Sequence, residues 1–250
     1  MGQGLFSTAN PLHLAVWSGP RNISTALMRS WENRGDTFVV DEPFYAHYLQ
    51  HTQKPHPMKD EIIAQGETNW EKVVAQLTGP VPEGKAIYYQ KLMTHHLLPP
   101  IGRDWFAKLT HVFLLRHPQD VITSYVKIVE RPTPEDTGFP QQTEIFHWVK
   151  DHLGVTPLVI ETVDVLENPR KILGLLCERL GIDFRESMLS WPLGKRATDG
   201  IWAPHWYGEV EKSSGFRPYR PKNEEIPTDL IPLYQDCLKH YAELYSLRLH

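Results

Sequence analysis

The sequence predicts an α/β fold: a single domain with a central parallel sheet flanked by helices. Three observations lead there. Short apolar runs alternate with stretches of helical periodicity from residue 12 to residue 181. The run Val112-Phe113-Leu114-Leu115 is nearly continuous in apolar residues, as a parallel strand buried on both faces should be. Turn and helix-start residues follow directly on several of the runs, the pattern of parallel strands joined by crossover helices.

Leu12-His13-Leu14-Ala15-Val16-Trp17 is the first strand, closed by a Gly19-Pro20 turn. A helix takes over near Ile23, with Ile23, Leu27 and Trp31 on one face, and stops at Gly35, a left-handed cap. Thr37-Phe38-Val39-Val40 is the second strand and ends in Asp41-Glu42-Pro43. Residues 51–60, with Lys54-Pro55-His56-Pro57, read as an exposed loop, and 69–77 as a short amphipathic helix. Residues 86–92 form the third strand, followed by Met93-Thr94-His95-His96. The fourth strand, at 112–115, ends in Arg116-His117-Pro118, and Pro118 opens a helix running through Val121, Ile122, Tyr125 and Val129. A Pro- and acid-rich loop covers 131–140, a helix 142–152, the fifth strand 158–160, and a helix runs from Asn168-Pro169 to Gly181. Residues 191–222, rich in aromatic, Gly and Pro residues, have no clean period and read as a long irregular segment packed across the sheet. An amphipathic helix at 228–247 closes the chain, so 10–190 is the α/β core and 191–250 the closing part.

With 250 residues and 41% hydrophobic content the chain supports one sizeable core. A formal net charge of -4 excludes a general polyanion binder, so no nucleic-acid partner is expected and any anion site must be a local concentration of positive groups. Cys177 and Cys237 suit neither a disulfide framework nor a metal cluster, and reduced thiols are expected. Met1-Gly2-Gln3-Gly4-Leu5-Phe6 lacks the basic and apolar regions of a secretion signal. No apolar run approaches about 18 residues, so no membrane span is expected and the protein should be soluble and cytoplasmic. Oligomeric state is not legible.

The chemistry gathers at strand–helix junctions. A strand, a tight turn and a helix start at residues 19–25 place backbone N–H groups at the positive end of a helix, where phosphate or sulfate binds readily. Arg21 adds a permanent charge there, and Ser24 and Thr25 add hydroxyls. The loop has neither the lysine nor the second glycine of the nucleotide-kinase pattern, which argues against a Mg²⁺-dependent ATP site. The other pieces are Lys91 with His95 and His96, Arg116 with Ser124 about two helical turns on, and Lys212-Ser213-Ser214-Gly215 in the late segment. His47 and His51 share a helical face without a third ligand near in sequence, and read as surface histidines rather than a metal site.

Arg116-His117-Pro118-Gln119-Asp120-Val121-Ile122-Thr123-Ser124-Tyr125 resembles the second nucleotide motif of the sulfotransferases that use 3′-phosphoadenosine 5′-phosphosulfate (PAPS). The cradle at 19–25 resembles their 5′-phosphosulfate loop, and Gln90-Lys91-Leu92-Met93-Thr94-His95-His96 their Lys-Thr-His strand end. Asp164-Val165-Leu166-Glu167-Asn168-Pro169-Arg170-Lys171 resembles the family's Glu-Asn-Pro stretch, and Lys212-Ser213-Ser214-Gly215-Phe216 its late basic loop. These pieces occur in the family's order, and the fold implied is its P-loop nucleotide-kinase-like one.

The resemblance implies a role for each position. Gly19, Pro20, Asn22 and Ile23, with Ser24 and Thr25, would hold the 5′-phosphosulfate. Arg21, where most members have lysine, would neutralise the 5′-phosphate and the bridging oxygen. Arg116 and Ser124 would bind the 3′-phosphate, with Lys212, Ser213, Ser214 and Gly215 closing over it. His95 would be the general base and His96 its rival; alternation along a strand would point the two oppositely, so only one should act. Glu42, and behind it Asp41, is the runner-up, since some branches use a carboxylate base. Ala26 and Thr162 stand where aromatic residues commonly stack on adenine, leaving Trp202, Trp206 or Phe216 to supply the stack.

The expected activity is sulfuryl transfer from PAPS, as co-substrate and without a metal, to a hydroxyl or amine of a small acceptor. The alternatives are a kinase-like phosphotransferase using ATP and Mg²⁺ and a non-catalytic nucleotide-binding protein of the same fold. Segments 41–66, 130–143 and 198–210 are the expected walls of the acceptor site.

Overall fold

The structure is a computed structural model and describes residues 11–221 and 224–250. The stretch Met1–Phe6 read for a leader, and Lys222 at the end of the late segment, lie outside the described residues. The strands are β1 (Leu12–Ser18), β2 (Thr37–Asp41), β3 (Ile87–Met93), β4 (Thr110–Leu115) and β5 (Leu158–Glu161). All pair in parallel, in the order β2-β3-β1-β4-β5. The helices are α1 (Ser24–Glu32), α2 (Tyr45–Thr52), α3 (Lys59–Gln65), α4 (Trp70–Leu77), α5 (Pro118–Tyr125), α6 (Pro134–Thr137), α7 (Phe139–Leu153), α8 (Thr162–Glu167), α9 (Pro169–Arg179), α10 (Ala203–Trp206), α11 (Gly208–Glu211) and α12 (Ile231–Tyr245).

Alternation along each strand divides the apolar residues between two layers. Leu14 and Val16 of β1, with Tyr89, Val112, Leu114 and Ile160, pack on α1 and α9 through Leu27, Trp31, Leu173 and Leu176. Ala15 and Trp17, with Leu92, Phe113 and Val159, pack on the other face against α4, α5, α7 and α12. The helix that follows β1 therefore covers one face while those following β4 cover the opposite face. These adjacent strands send their chains apart at their carboxyl ends, which opens a crevice where open α/β sheets place ligands.

Several expectations are corrected. Residues 51–60 are not one loop, since α2 reaches Thr52 and α3 begins at Lys59. Five consecutive buried residues, Tyr45 to Leu49, hide the amphipathic period of α2. The helix at 118 stops at Tyr125 rather than reaching Val129, because the Tyr125 carbonyl accepts from both Ile128 and Val129 N–H and closes the last turn. Within 131–140, Thr133 and Asp136 form a capping box that starts the short α6, and α7 already begins at Phe139. The late segment is largely irregular, as expected, but holds α10 and α11.

A third apolar cluster lies beyond the carboxyl end of the sheet. There Tyr45, Tyr48, Leu49 and Ile62 meet Trp202, Ala203 and Tyr207 of the late segment. Arg29 of α1 donates to Asp199 at 2.8 Å, both side chains almost fully buried, and so anchors that segment to the core. Among the described residues no helix is long and apolar enough to cross a membrane.

Candidate functional site: a crevice at the carboxyl ends of the sheet

The loop after β1 is shaped by close approach. A Cβ at Gly19 would lie 2.6 Å from the Thr137 carbonyl oxygen, so glycine lets the loop backbone rest on the α6–α7 junction. Arg21 has φ +56°, a left-handed conformation costing a non-glycine residue about 1–2 kcal/mol. Two long-range hydrogen bonds hold it there. Arg116 Nη1 donates to the Arg21 carbonyl at 2.7 Å, and Arg21 Nε donates to Ser124 Oγ at 2.9 Å. Asn22 bonds across to β4, donating to the Leu114 carbonyl at 3.0 Å, and its own oxygen accepts from the Ile23 N–H at 2.8 Å. Among the described residues no side chain caps the start of α1, so its first-turn amides remain available to a ligand.

Charge at this junction is only partly compensated. Among the described residues no carboxylate is ion-paired with Arg21, and Arg116 meets Asp120 only at 3.5 Å. Burial first, and then the neighbouring Arg116, lower the pKa of Arg21 from its ordinary value, yet arginine's value is so high that the guanidinium stays charged. Two like charges held together with a single, loosely placed carboxylate between them leave a net positive charge that suits an anion.

At the ends of β2 and β3 stands a second polar cluster. Lys91 is 1% exposed, and its Nζ donates to Asp41 at 2.8 Å, Glu42 at 2.6 Å and the Tyr207 hydroxyl at 2.8 Å. Tyr207 in turn donates to Asp41 at 2.6 Å. The two carboxylates hold Lys91 well above the usual lysine range despite burial, so it stays charged. Glu42, with φ +44°, has its pKa raised by burial, with Asp41 adding to the effect and Lys91 opposing it. Its Oε2 lies 4.0 Å from His96 Nδ1.

The histidine pair departs from the strand-like expectation. Thr94–His96 is a turn of 3-10 helix rather than strand, so His95 and His96 do not point oppositely. Their rings lie 4.4 Å apart and both line the crevice. Burial, and then Lys54, hold His95 at about 3, and burial with His95 and Lys91 pushes His96 well below its ordinary value. Both imidazoles are neutral at physiological pH. His47 also departs from expectation: it is buried at 2% exposure and bonds the Thr68 carbonyl at 2.7 Å, while its neighbour His51 is exposed.

One cavity of about 1350 Å³ joins these clusters. Pro20, Arg21, Asn22, Ile23, Ser24, Thr25, Glu42, His95, His96, Arg116, Ser124, Ser213 and Gly215 all line it. Gly19, Lys212 and Ser214 do not line it: Gly19 is packed on Thr137, and Lys212 and Ser214 are exposed. Arg217, Tyr219 and Arg220, a few residues on, line the cavity instead. Trp206 and Phe216 also face it, whereas Trp202 is packed edge-on to Tyr45. Thr162 is occupied with Asn22 Oδ1 at 2.6 Å and the Leu115 carbonyl at 2.7 Å. Tyr45, Tyr48 and Tyr207, from the segments 41–66 and 198–210 expected to wall the acceptor site, also line the cavity, although no period in the sequence singles them out.

Fold and site together define a parallel α/β protein with a cationic crevice between diverging strand ends. A family profile described as "Sulfotransferase domain" matches residues 12–243, and the chain belongs to that family. Two curated relatives are from Arabidopsis thaliana. The "Branched-chain-amino-acid aminotransferase-like protein 1" is 33% identical over 97% of this chain and 42% of its own length. The "Branched-chain-amino-acid aminotransferase-like protein 2" is 33% identical over 90% of this chain and 40% of its own length. The chain thus spans less than half the length of either. A solved structure titled "Sulfotransferase Domain from the Curacin Biosynthetic Pathway" shares the fold, with a TM-score of 0.55, 17% identity, and coverage of 96% of this chain and 99% of that one.

The Lys91 cluster yields a stability prediction. Lys91→Met leaves Asp41 and Glu42 buried without their cation and should lower unfolding stability by about 3 kcal/mol or more in urea titration at neutral pH. A loss below about 1 kcal/mol would show that the network is not held together by that charge.

Proposed function

We propose that this protein is a PAPS-dependent sulfotransferase acting in the cytoplasm on a hydroxyl or amine of a small acceptor. The observation that carries this reading is that Arg21 and Arg116, hydrogen-bonded into one unit, share a cavity with Glu42 and the two histidines. The residues present fit the donor. Arg116 Nε is buried without a partner among the described residues, a donor left over for an anion. The uncapped start of α1, with Ser24 and Thr25, would hold the 5′-phosphosulfate, and Arg116 with Ser124 the 3′-phosphate. Free, buried thiols at Cys177 and Cys237 accord with a reducing compartment. An ATP kinase has less support, since the loop offers no lysine to the phosphates.

The donor supplies an electrophilic sulfuryl group, whose bond to the 5′-phosphate oxygen breaks as the acceptor oxygen or nitrogen bonds to sulfur. Glu42 takes the acceptor's proton. Its raised pKa makes it a better base than an ordinary carboxylate, whereas His95 at about 3 is a poor one. Lys91 fixes Glu42 Oε1 and leaves Oε2 toward the cavity side shared with His96. Arg21 and the α1 amides offset the charge on the departing phosphate oxygen. Arginine there acts as a fixed electrostatic fork, with no proton to give.

Two measurements test this reading. By calorimetry without Mg²⁺, 3′-phosphoadenosine 5′-phosphate should bind the native protein, and Arg116→Ala should weaken it by about tenfold or more. Undiminished affinity in the variant would remove Arg116 from the donor site. Activity should require ionised Glu42, so it falls as pH drops through a value above the ordinary carboxylate range, and Glu42→Gln should lose nearly all turnover. An acid limb near pH 3 that survives in Glu42→Gln and disappears in His95→Asn would assign the base to His95.

A further inference from the structure

The cavity, at about 1350 Å³, exceeds the 300–1,000 Å³ of common single-ligand sites, and its chemistry is divided. At the Arg21–Arg116 end stand the charges, Asn22 and the hydroxyls of Ser24, Thr25 and Ser124. The other end is walled by rings in contact with one another. His96 stacks between Tyr45 and Tyr48, with centroids 4.6 Å from each. His95 meets Tyr48 edge-on at 5.3 Å, His56 meets Tyr45 at 5.1 Å, and Trp206 lies 5.5 Å from His56. Trp206 also lies under the Arg21 guanidinium, 5.9 Å from its ring centroid, and marks the border between the two ends.

The charged side chains at the ring-walled end already have ion-pair partners. Lys54 is ion-paired with Asp136, and Glu42 with Lys91. Burial holds His56, His95 and His96 in their neutral forms. No amide or aliphatic hydroxyl side chain among the described residues lines this end; Ser213, nearest in the late segment, already donates to the Val210 carbonyl at 2.8 Å. The rings, with Leu49, Pro55 and Met93, present mainly apolar surface that the many hydroxyls of a polyol could not match. An acid would meet the carboxylates of Glu42 and Asp136 beside a lysine that is already paired. Ile128, 47% exposed, adds an open apolar side chain to the lining. Against this apolar lining, Nδ1 of His95 and of His96 are buried without a partner among the described residues, enough to orient a single hydroxyl.

We propose that the ring-walled end of the cavity, formed by Tyr45, Tyr48, His56, His95, His96 and Trp206, takes an uncharged, largely apolar alcohol as the acceptor. This rests on the sulfotransferase reading above and names the acceptor class for it. The alcohol's apolar body replaces water along the rings, and its hydroxyl lies within the Glu42–His96 corner.

Calorimetry on the whole chain tests it, with and without 3′-phosphoadenosine 5′-phosphate. The probes are naphthylmethanol, its ring-carboxylated analogue and methyl glucoside. Naphthylmethanol should bind in both conditions, the carboxylated analogue about tenfold or more weaker, and methyl glucoside not measurably. Tyr48→Ala, which removes one ring of that wall, should weaken naphthylmethanol about tenfold and leave nucleotide affinity unchanged. Glucoside or carboxylate binding as tight as naphthylmethanol, or no naphthylmethanol binding at all, would overturn the proposal. Naphthylmethanol binding without any nucleotide binding would uphold the pocket's chemistry and instead reject the PAPS reading.

Discussion

The hydrogen bond from the Arg116 guanidinium to the Arg21 carbonyl is the contact on which the rest of the crevice depends. It joins the end of β4 to the loop after β1, two strands adjacent in the sheet but distant in sequence. It also stabilises a left-handed residue that would otherwise relax. With Arg21 held there, its side chain reaches Ser124 on α5, so one residue serves both halves of the anion site. Asn22 and Thr162 extend the same fastening to β5, making the floor of the crevice a lattice of hydrogen bonds across three strand ends. A preorganised cationic site of this kind loses little free energy to reorganisation when charge develops in it.

Opposite that floor, the Lys91 cluster solves a different problem. A carboxylate meant to take a proton must be buried enough to be basic, and still be ionised. Asp41 and Tyr207 surround Lys91, so its charge is shared and Glu42 is only partly neutralised. Tyr207 comes from the late segment, which the buried Arg29–Asp199 pair fastens to α1. The irregular segment is thus tied at two points to the strand ends and forms one wall of the cavity.

What the sequence disclosed was local chemistry. The placement of Arg21, Arg116 and Ser124 at the crevice was legible because strand ends, a tight turn and a two-turn helical separation fix it within a few residues. The parallel sheet was legible from its apolar runs, and its order puts β1 and β4 side by side as the crevice requires. The left-handed backbone of Arg21 was not, because the bonds that hold it come from residues about a hundred positions away. The orientation of His95 and His96 was misjudged because β3 ends at Met93 and the chain tightens into a 3-10 turn. The helical spacing of His47 and His51 was legible, but the extent of α2 was not, because Tyr45 to Leu49 are buried in an unbroken run between the sheet's end and the late segment. With α2 went Tyr45 and Tyr48, the rings that shape the acceptor end.

Arg21 and Arg116 joined by that hydrogen bond should act as a single anion-binding unit. A double-mutant cycle on the affinity for 3′-phosphoadenosine 5′-phosphate, comparing Arg21→Ala, Arg116→Ala and the double variant by calorimetry, measures that directly. A coupling of about 1 kcal/mol or more is expected, the double variant losing less than the sum of the single losses. Strictly additive losses, or no loss in either single variant, would contradict it.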